Sequence, residues 1–180
     1  MATEGAERPL RVFGALLTGY AQACINLNIV AGRKSAELLD DLEVNRWYPI
    51  DRWRRFEQVV LASYEHAAPI MERVGMHMMH GWYHHGPGRS LIGGGVDFIA
   101  FQTGSGGYAS VVEGPASAVG AFSLLAHDPA KGRAQVRSTT PFNREMERGV
   151  LIGGMKAPGD LDFVDVTYDP ATLTFDIEYH

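Results

Sequence analysis

The chain has little of what marks a secreted, membrane-bound or DNA-binding protein. Cys24 is the single cysteine among 180 residues, so no disulfide can form within one chain and a reducing compartment is expected. No apolar run approaches the roughly 20 residues that a membrane span requires. The net charge of -5 argues against duplex nucleic acid as a partner, because such binding needs clustered basic residues. We therefore predict a cytoplasmic protein that binds neither membrane nor nucleic acid.

Sequence motifs of the common enzyme classes are also missing. The chain has no Gly-x-Ser-x-Gly nucleophile turn, no His-Glu-x-x-His zinc motif and no Gly-Lys-Ser/Thr phosphate loop. Cys24 lies in an apolar segment, where burial raises the pKa of a thiol, so we interpret it as a core residue. The glycine clusters at 93–95 and 104–107 could cradle a phosphate, but we interpret them as turn and hinge glycines. These absences favour a non-enzymatic protein.

What the chain does contain is a helical pattern in its first half. Residues 1–9 are polar and predict a disordered tail. Residues 10–30 predict a buried helix, with an initial strand as the alternative. Further helices are predicted at 34–42, from residue 50 onward and at 70–85. Residues 96–112 fit either two strands around a glycine-rich turn or a broken helix.

The second half shows a β pattern that one helix interrupts. Strands are predicted at 121–126, 133–139, 161–168 and 172–179. The first two form a hairpin, and the last alternates apolar and polar residues. A helix is predicted at 141–155, closed by Gly153-Gly154. The predicted fold class is α+β: an N-terminal helical half packs on a C-terminal, mainly antiparallel sheet, and residues 10–180 form one domain.

The helix predicted at 70–85 is rich in methionine and aromatic residues. Such a face is typical of a core, and it is also typical of an adaptable ligand pocket. We predict a ligand pocket between helices and sheet, lined by apolar side chains near the glycine-rich region: Trp53, Met78, Trp82 and Phe101. The segment 93–107 would act as a flexible gate to it.

Three histidines on one side of this same helix suggest an alternative site. His77, His80 and His84 follow one another at helical steps, and neutral imidazoles in that arrangement can converge on a metal ion. A metal-dependent enzyme built on them is therefore one alternative function. The competing interpretation is a polar helix face whose last histidines favour the negative end of the helix dipole. Arg73, one turn earlier, repels a cation and favours the polar face.

Several short motifs occur in an order that resembles a group of bacterial sensory domains. The motifs are Trp47-Tyr48-Pro49, Glu72-Arg73-Val74-Gly75, Ser138-Thr139-Thr140-Pro141-Phe142, Glu147-Arg148-Gly149-Val150 and Phe175-Asp176-Ile177-Glu178-Tyr179. With them the chain resembles uncharacterised paralogous domains of myxobacteria and, more distantly, heme-NO-binding and four-vinyl-reductase-type ligand domains. The resemblance implies a helical subdomain docked on an antiparallel sheet, with a small-molecule pocket between them.

The resemblance does not extend to heme-binding residues. Heme-NO-binding domains carry a Tyr-x-Ser-x-Arg motif for the propionates, whereas Tyr108-Ala109-Ser110-Val111-Val112 ends in valine, and no axial histidine is transferred. We therefore predict no cofactor and expect heme to be absent. The predicted function is a regulatory or sensor domain that binds a small apolar or amphipathic ligand and signals through a protein partner or a homodimer. An interaction or scaffold module is the alternative.

Overall fold

The computed structural model describes residues 9–29 and 37–180. The predicted tail, apart from residue 9, and the beginning of the helix predicted at 34–42 lie outside the described residues. Residues 37–39 of that helix are helical. Within the described ranges no helix combines the length and the apolar character that crossing a membrane requires.

The first half is helical, as predicted, but it begins with a strand. Its elements are β1 (Arg11–Phe13), α1 (Gly14–Asn26), β2 (Trp47–Pro49), α2 (Ile50–Leu61), α3 (Ala68–His85), α4 (Gly88–Leu91) and α5 (Asp97–Thr103). Strand β1 replaces the first turn of the helix predicted at 10–30, so the alternative with an initial strand is correct. The reason is tertiary, because β1 lies in a three-stranded sheet between β2 and a later strand.

The later strand is β3 (Val112–Glu113), at the end of the glycine-rich stretch. Between α5 and β3 lies a 3-10 turn at Tyr108–Ser110. Residues 96–112 are therefore a broken helix that ends at a short strand, and the interpretation as two strands is wrong. Strands this short carry too few residues to show the period-two alternation on which sequence prediction depends.

The second half contains the four-stranded antiparallel sheet. Its elements are α6 (Ala116–Val119), β4 (Phe122–Asp128), β5 (Arg133–Ser138), α7 (Arg144–Lys156), β6 (Val164–Asp169) and β7 (Thr174–Tyr179). The strand order is β4-β5-β7-β6. Gly132 closes the β4–β5 hairpin in the left-handed conformation, which glycine adopts at little cost. The α+β fold class is confirmed.

Helices α3 and α7 pack against each other through glycines. A Cβ atom on Gly75 of α3 would collide with the Met146 carbonyl, and one on Gly149 of α7 would collide with the Glu72 carbonyl. Gly153 faces the α3 backbone in the same way. The prediction that Gly153-Gly154 ends this helix is therefore wrong, because α7 continues to Lys156 and uses these glycines for close approach.

Candidate functional site

Two of the predicted pocket residues lie together where α3 meets α5. The ring centroids of Trp82 and Phe101 are 4.9 Å apart, and Phe98 lies 5.8 Å from Trp82. We call Trp82, Phe98 and Phe101 the Trp82 cluster. Phe98 is fully buried, whereas Trp82 and Phe101 are only partly buried. Met78 lies one turn before Trp82 on α3 and is buried. The cluster is thus an aromatic surface that solvent reaches on one side.

Trp53, the fourth predicted pocket residue, has a different set of neighbours. It is 1% exposed on α2, and its ring centroid lies 4.9 Å from that of Tyr20 and 4.6 Å from that of Phe142. We call these three rings the closed core. No ring of the closed core contacts the Trp82 cluster among the aromatic pairs of the described residues. The pocket of four residues stays a prediction, and Trp82 and Phe101 are its partly exposed members.

The predicted gate is fastened at its beginning. The backbone N–H groups of Gly93 and Gly94 both donate to the Asp97 carboxylate over 3.0 Å. Gly95 N–H donates to Asp160 over 2.9 Å. These carboxylates occupy the N–H groups that a phosphate would need, so this glycine cluster is a hydrogen-bonded turn. The flexible gate over 93–107 stays a prediction.

The histidines of α3 form a pair and do not converge as a group of three. The ring centroids of His80 and His84 are 4.3 Å apart, and His84 Nδ1 lies 2.9 Å from an Arg89 nitrogen. Partial burial, His80 and Arg89 lower the pKa of His84, and partial burial, His80 and Arg73 lower that of His77. In the described part of the chain no three His, Cys, Asp or Glu side chains are arranged to hold a metal ion.

A buried polar cluster around Glu147 was not predicted from the sequence. Glu147 of α7 is 1% exposed, and Ser138 Oγ of β5 donates to its carboxylate over 2.9 Å. Thr140 Oγ1 and the Arg144 guanidinium also donate to it. One signal was available, since Glu147 shares the helical stripe of Val150, Leu151 and Gly154, a position that an acid occupies only when it is partnered.

The outer face of the four-stranded sheet carries a shallow polar concavity. Arg133 and Gln135 of β5 line it together with Asp176 and Glu178 of β7. These side chains already pair across the strands, Arg133 with Glu178 at 3.5 Å and Gln135 with Asp176 at 2.8 Å. None of the four predicted pocket residues lines this concavity, which therefore does not correspond to the predicted apolar pocket.

Comparison with known proteins identifies the fold of the chain. No family model and no curated protein matches the chain. Among solved structures, an oxygen-binding H-NOX domain related to soluble guanylate cyclases, in its oxygen complex, matches with a TM-score of 0.64 at 14% identity, covering 92% of this chain and 94% of that one. A doubly substituted H-NOX variant matches with a TM-score of 0.62 at 12% identity, covering 93% and 94%. The chain has the H-NOX fold.

The H-NOX fold confirms one prediction and contradicts another. The resemblance to heme-NO-binding domains is confirmed at the level of the fold. The prediction of no cofactor, with heme expected to be absent, is contradicted: the matching structures are H-NOX domains, and one comes from work on modulating heme redox potential through porphyrin distortion (TM-score 0.62, 14% identity). That prediction depended on the departure at residues 108–112, where Tyr108 is a core side chain whose hydroxyl donates to the Val119 carbonyl.

The donor groups inside this H-NOX fold limit how it could hold a heme. Iron in heme proteins is bound by His, Cys, Met or Tyr. All seven histidines lie in the described ranges and none is buried, so no imidazole points into the core. Tyr20 and Cys24 of α1 are buried, and Tyr20 donates to Met71 Sδ over 3.5 Å. The buried side chains of an iron-ligand type are therefore sulfur and phenol groups, and Tyr20, Cys24 and Met71 are fully packed in the core.

Burial keeps these two interior donors protonated. It raises the pKa of the Cys24 thiol to about 12 and raises the pKa of Tyr20 well above its usual range. A metal that bound either of them would release the proton.

Proposed function

We propose that the chain is a sensor domain that binds a small apolar or amphipathic ligand at the Trp82 cluster. The observation that supports this most strongly is the partly exposed aromatic surface at the α3–α5 junction of an H-NOX fold, a fold shared over nearly the whole chain. Aromatic side chains that are partly exposed in the apo protein can bury a flat ligand without the cost of opening a packed core. Residues 10–180 act as one domain in this proposal.

Heme is the first ligand to test, because the structural neighbours are H-NOX domains. When bound, heme would supply an iron that takes a diatomic gas or changes redox state. Cys24, Tyr20 and Met71 are buried side chains whose donor types match known heme ligands, but Met71 precedes Trp82 on α3 by eleven residues, about 16 Å, so the iron of a porphyrin stacked on Trp82 would not reach them. Trp82 and Phe101 would contact the flat face of the ring system.

The test is a titration of the purified full chain with hemin and, separately, with metal-free protoporphyrin, followed by absorption and tryptophan fluorescence. We expect both to bind, and Trp82→Ala to weaken both by about tenfold, the loss of roughly 1.4 kcal/mol of aromatic contact. Trp47→Ala is the matched control, because Trp47 is also partly buried and has one ring partner, Phe13, at 5.1 Å. Cys24→Ala and Tyr20→Phe, which lie away from the Trp82 cluster, should leave the affinity for both porphyrins unaltered.

The outcomes separate the ligand class from heme itself. If protoporphyrin binds and hemin shows no spectrum of a protein-ligated iron, iron ligation is excluded and the proposed pocket is supported. If neither porphyrin binds, and no member of an apolar and amphipathic ligand panel raises the melting temperature, the sensor proposal fails, because selective binding to the folded state must stabilise it.

Signalling through a homodimer is part of the proposal, and strand β4 is its proposed contact. β4 is an edge strand with no pairing partner on its outer side among the described residues, and its Leu124 and Leu125 are 40% and 51% exposed. No charged residue lies between Phe122 and His127. The opposite edge, β6, carries Asp165 and Asp169, and Arg148 covers its Val166 carbonyl, whereas β4 has a register shift between Leu124 and Ala126 and its one acidic residue, Asp128, at its end.

A second copy suits β4 because two antiparallel β4 strands related by a two-fold axis would satisfy each other's hydrogen-bonding groups. Light scattering over a concentration series should show a dimer that Leu125→Lys converts to a monomer. The control is Leu91→Lys, which changes a comparably exposed leucine on α4, outside the sheet, and should leave the dimer intact. A monomeric wild-type chain, or equal effects of both variants, would exclude this contact.

A further inference from the structure

Glu147 joins three parts of the second half of the chain. Its carboxylate lies at the beginning of α7 and accepts hydrogen bonds from Ser138 at the end of β5 and from Thr140 in the connection between them. Arg144, one turn earlier on α7, forms an ion pair with it. The carboxylate is thus the common acceptor for a strand, a loop and a helix.

Arg144 completes this cluster from its solvent side. Its guanidinium donates to Ser138 Oγ over 2.8 Å, to Thr140 Oγ1 over 3.0 Å and to the Thr140 carbonyl over 2.7 Å. The Arg144 side chain is 25% exposed, whereas that of Glu147 is 2% exposed. Arg144 therefore borders solvent, whereas Glu147 does not.

The remaining ionisable groups near the cluster are occupied elsewhere. Tyr108, on the 3-10 turn, donates its hydroxyl proton to the Val119 carbonyl. Glu57 of α2 accepts from the Asn143 N–H over 3.3 Å, just before α7. Arg148, which follows Glu147 on α7, is paired with Glu72 of α3. Arg144 is consequently the one cation in direct contact with Glu147 among the described residues.

We infer that Glu147 is a proton-binding site that controls how the beginning of α7 is fastened to β5. In its ionised form the carboxylate holds Arg144, Ser138 and Thr140 together. Binding of a proton removes the negative charge, so that Arg144 loses its ion pair and is held only by its hydrogen bonds to Ser138 and Thr140. This response to pH is independent of the ligand proposed for the Trp82 cluster.

The energetics place the response in the neutral range. Burial raises the pKa of Glu147 to about 7 from an ordinary value of 4.5, against the opposing effects of Arg144, Thr140 and Ser138. Between these two values the folded chain holds a proton that the unfolded chain has lost, so the folding equilibrium constant falls as pH rises. Between pH 4.5 and pH 7 the folding equilibrium constant falls about tenfold for each pH unit, which amounts to up to about 300-fold. Above pH 7 it falls no further.

Nuclear magnetic resonance on chain labelled at glutamate Cδ tests the inference directly. We expect the Glu147 carbon to titrate near pH 7 and the amides of Ser138, Thr140 and Arg144 to shift with the same midpoint. Glu147→Gln should abolish that shared transition and remove up to about 300-fold of pH dependence from the folding equilibrium. Glu72→Gln is the control: it also removes an acid paired with an arginine of α7, and it should leave the shared transition unchanged.

The wild-type titration remains decisive if the Glu147→Gln chain does not fold, because through-bond experiments assign the carbon without it. A Glu147 carbon that titrates near 4.5 overturns the inference. So does a transition near pH 7 that leaves the Ser138, Thr140 and Arg144 amides unmoved, since Glu147 would then bind a proton without altering the attachment of α7.

Discussion

The closed core and the Trp82 cluster each contain a tryptophan predicted for the same pocket, yet they differ in access. Trp53 is 1% exposed between Tyr20 and Phe142, whereas Trp82 is partly exposed beside Phe101. Both tryptophans recur at helical spacing with other apolar residues. Their difference shows that aromatic content predicts burial. The number of neighbouring elements decides whether a ring is fully enclosed or stays accessible to a ligand.

Trp53→Ala should have the largest effect on stability. Removing a fully buried indole leaves a cavity between Tyr20 and Phe142, which costs about 3–5 kcal/mol of unfolding free energy. Urea unfolding measures this loss. If the loss is under about 1 kcal/mol, the closed core is not tightly packed and the contrast with the Trp82 cluster disappears.

Two glycines of α3 sharpen the contrast along a single helix. Gly75→Ala places a methyl group against the Met146 carbonyl of α7 and should cost about 1–3 kcal/mol through overpacking. Gly81→Ala has open space beside Trp82 and should stabilise the chain by about 0.5–1 kcal/mol, because alanine favours helix. Thermal unfolding of both variants checks the pair, and equal effects would contradict the close contact of α3 with α7.

Trp82→Ala should affect folding less than Trp53→Ala does. A partly exposed ring loses less burial, so we expect a loss of about 1–2 kcal/mol. Its ligand affinity should nevertheless fall, whereas a Trp53→Ala chain that is still folded should retain most of its affinity. Protoporphyrin affinity and unfolding free energy should be measured on both variants. If affinity falls in proportion to stability in both, the closed core and the Trp82 cluster do not differ in ligand access.

The fold class was predictable because it depends on patterns along the chain. The alternation of Leu173, Phe175 and Ile177 with polar residues predicted the last strand, and the structure places it at Thr174–Tyr179. The short strands β1 and β3 were not clear in the pattern. They form through pairing with each other and with β2, and such long-range pairing leaves little trace in two or three residues.

The candidate site was less predictable than the fold. The sequence brought Trp82 and Phe101 forward as apolar residues near the glycine-rich stretch, and the structure brings their rings together. The sequence could not distinguish Trp53 from these two residues, because tertiary packing determines which helix faces meet. The cluster around Glu147 was missed since a carboxylate is expected at the surface until its partners are known.

By itself, the sequence determined that amphipathic helices precede an antiparallel sheet, since hydrophobic periodicity is a local property that each segment carries in its own residues. Only the tertiary structure decided that Gly75 and Gly149 serve a helix contact, that Trp82 remains reachable, and that Glu147 is enclosed by Ser138, Thr140 and Arg144. The physical reason is that burial, close approach and a shifted pKa depend on neighbours that are distant in sequence or come from another element.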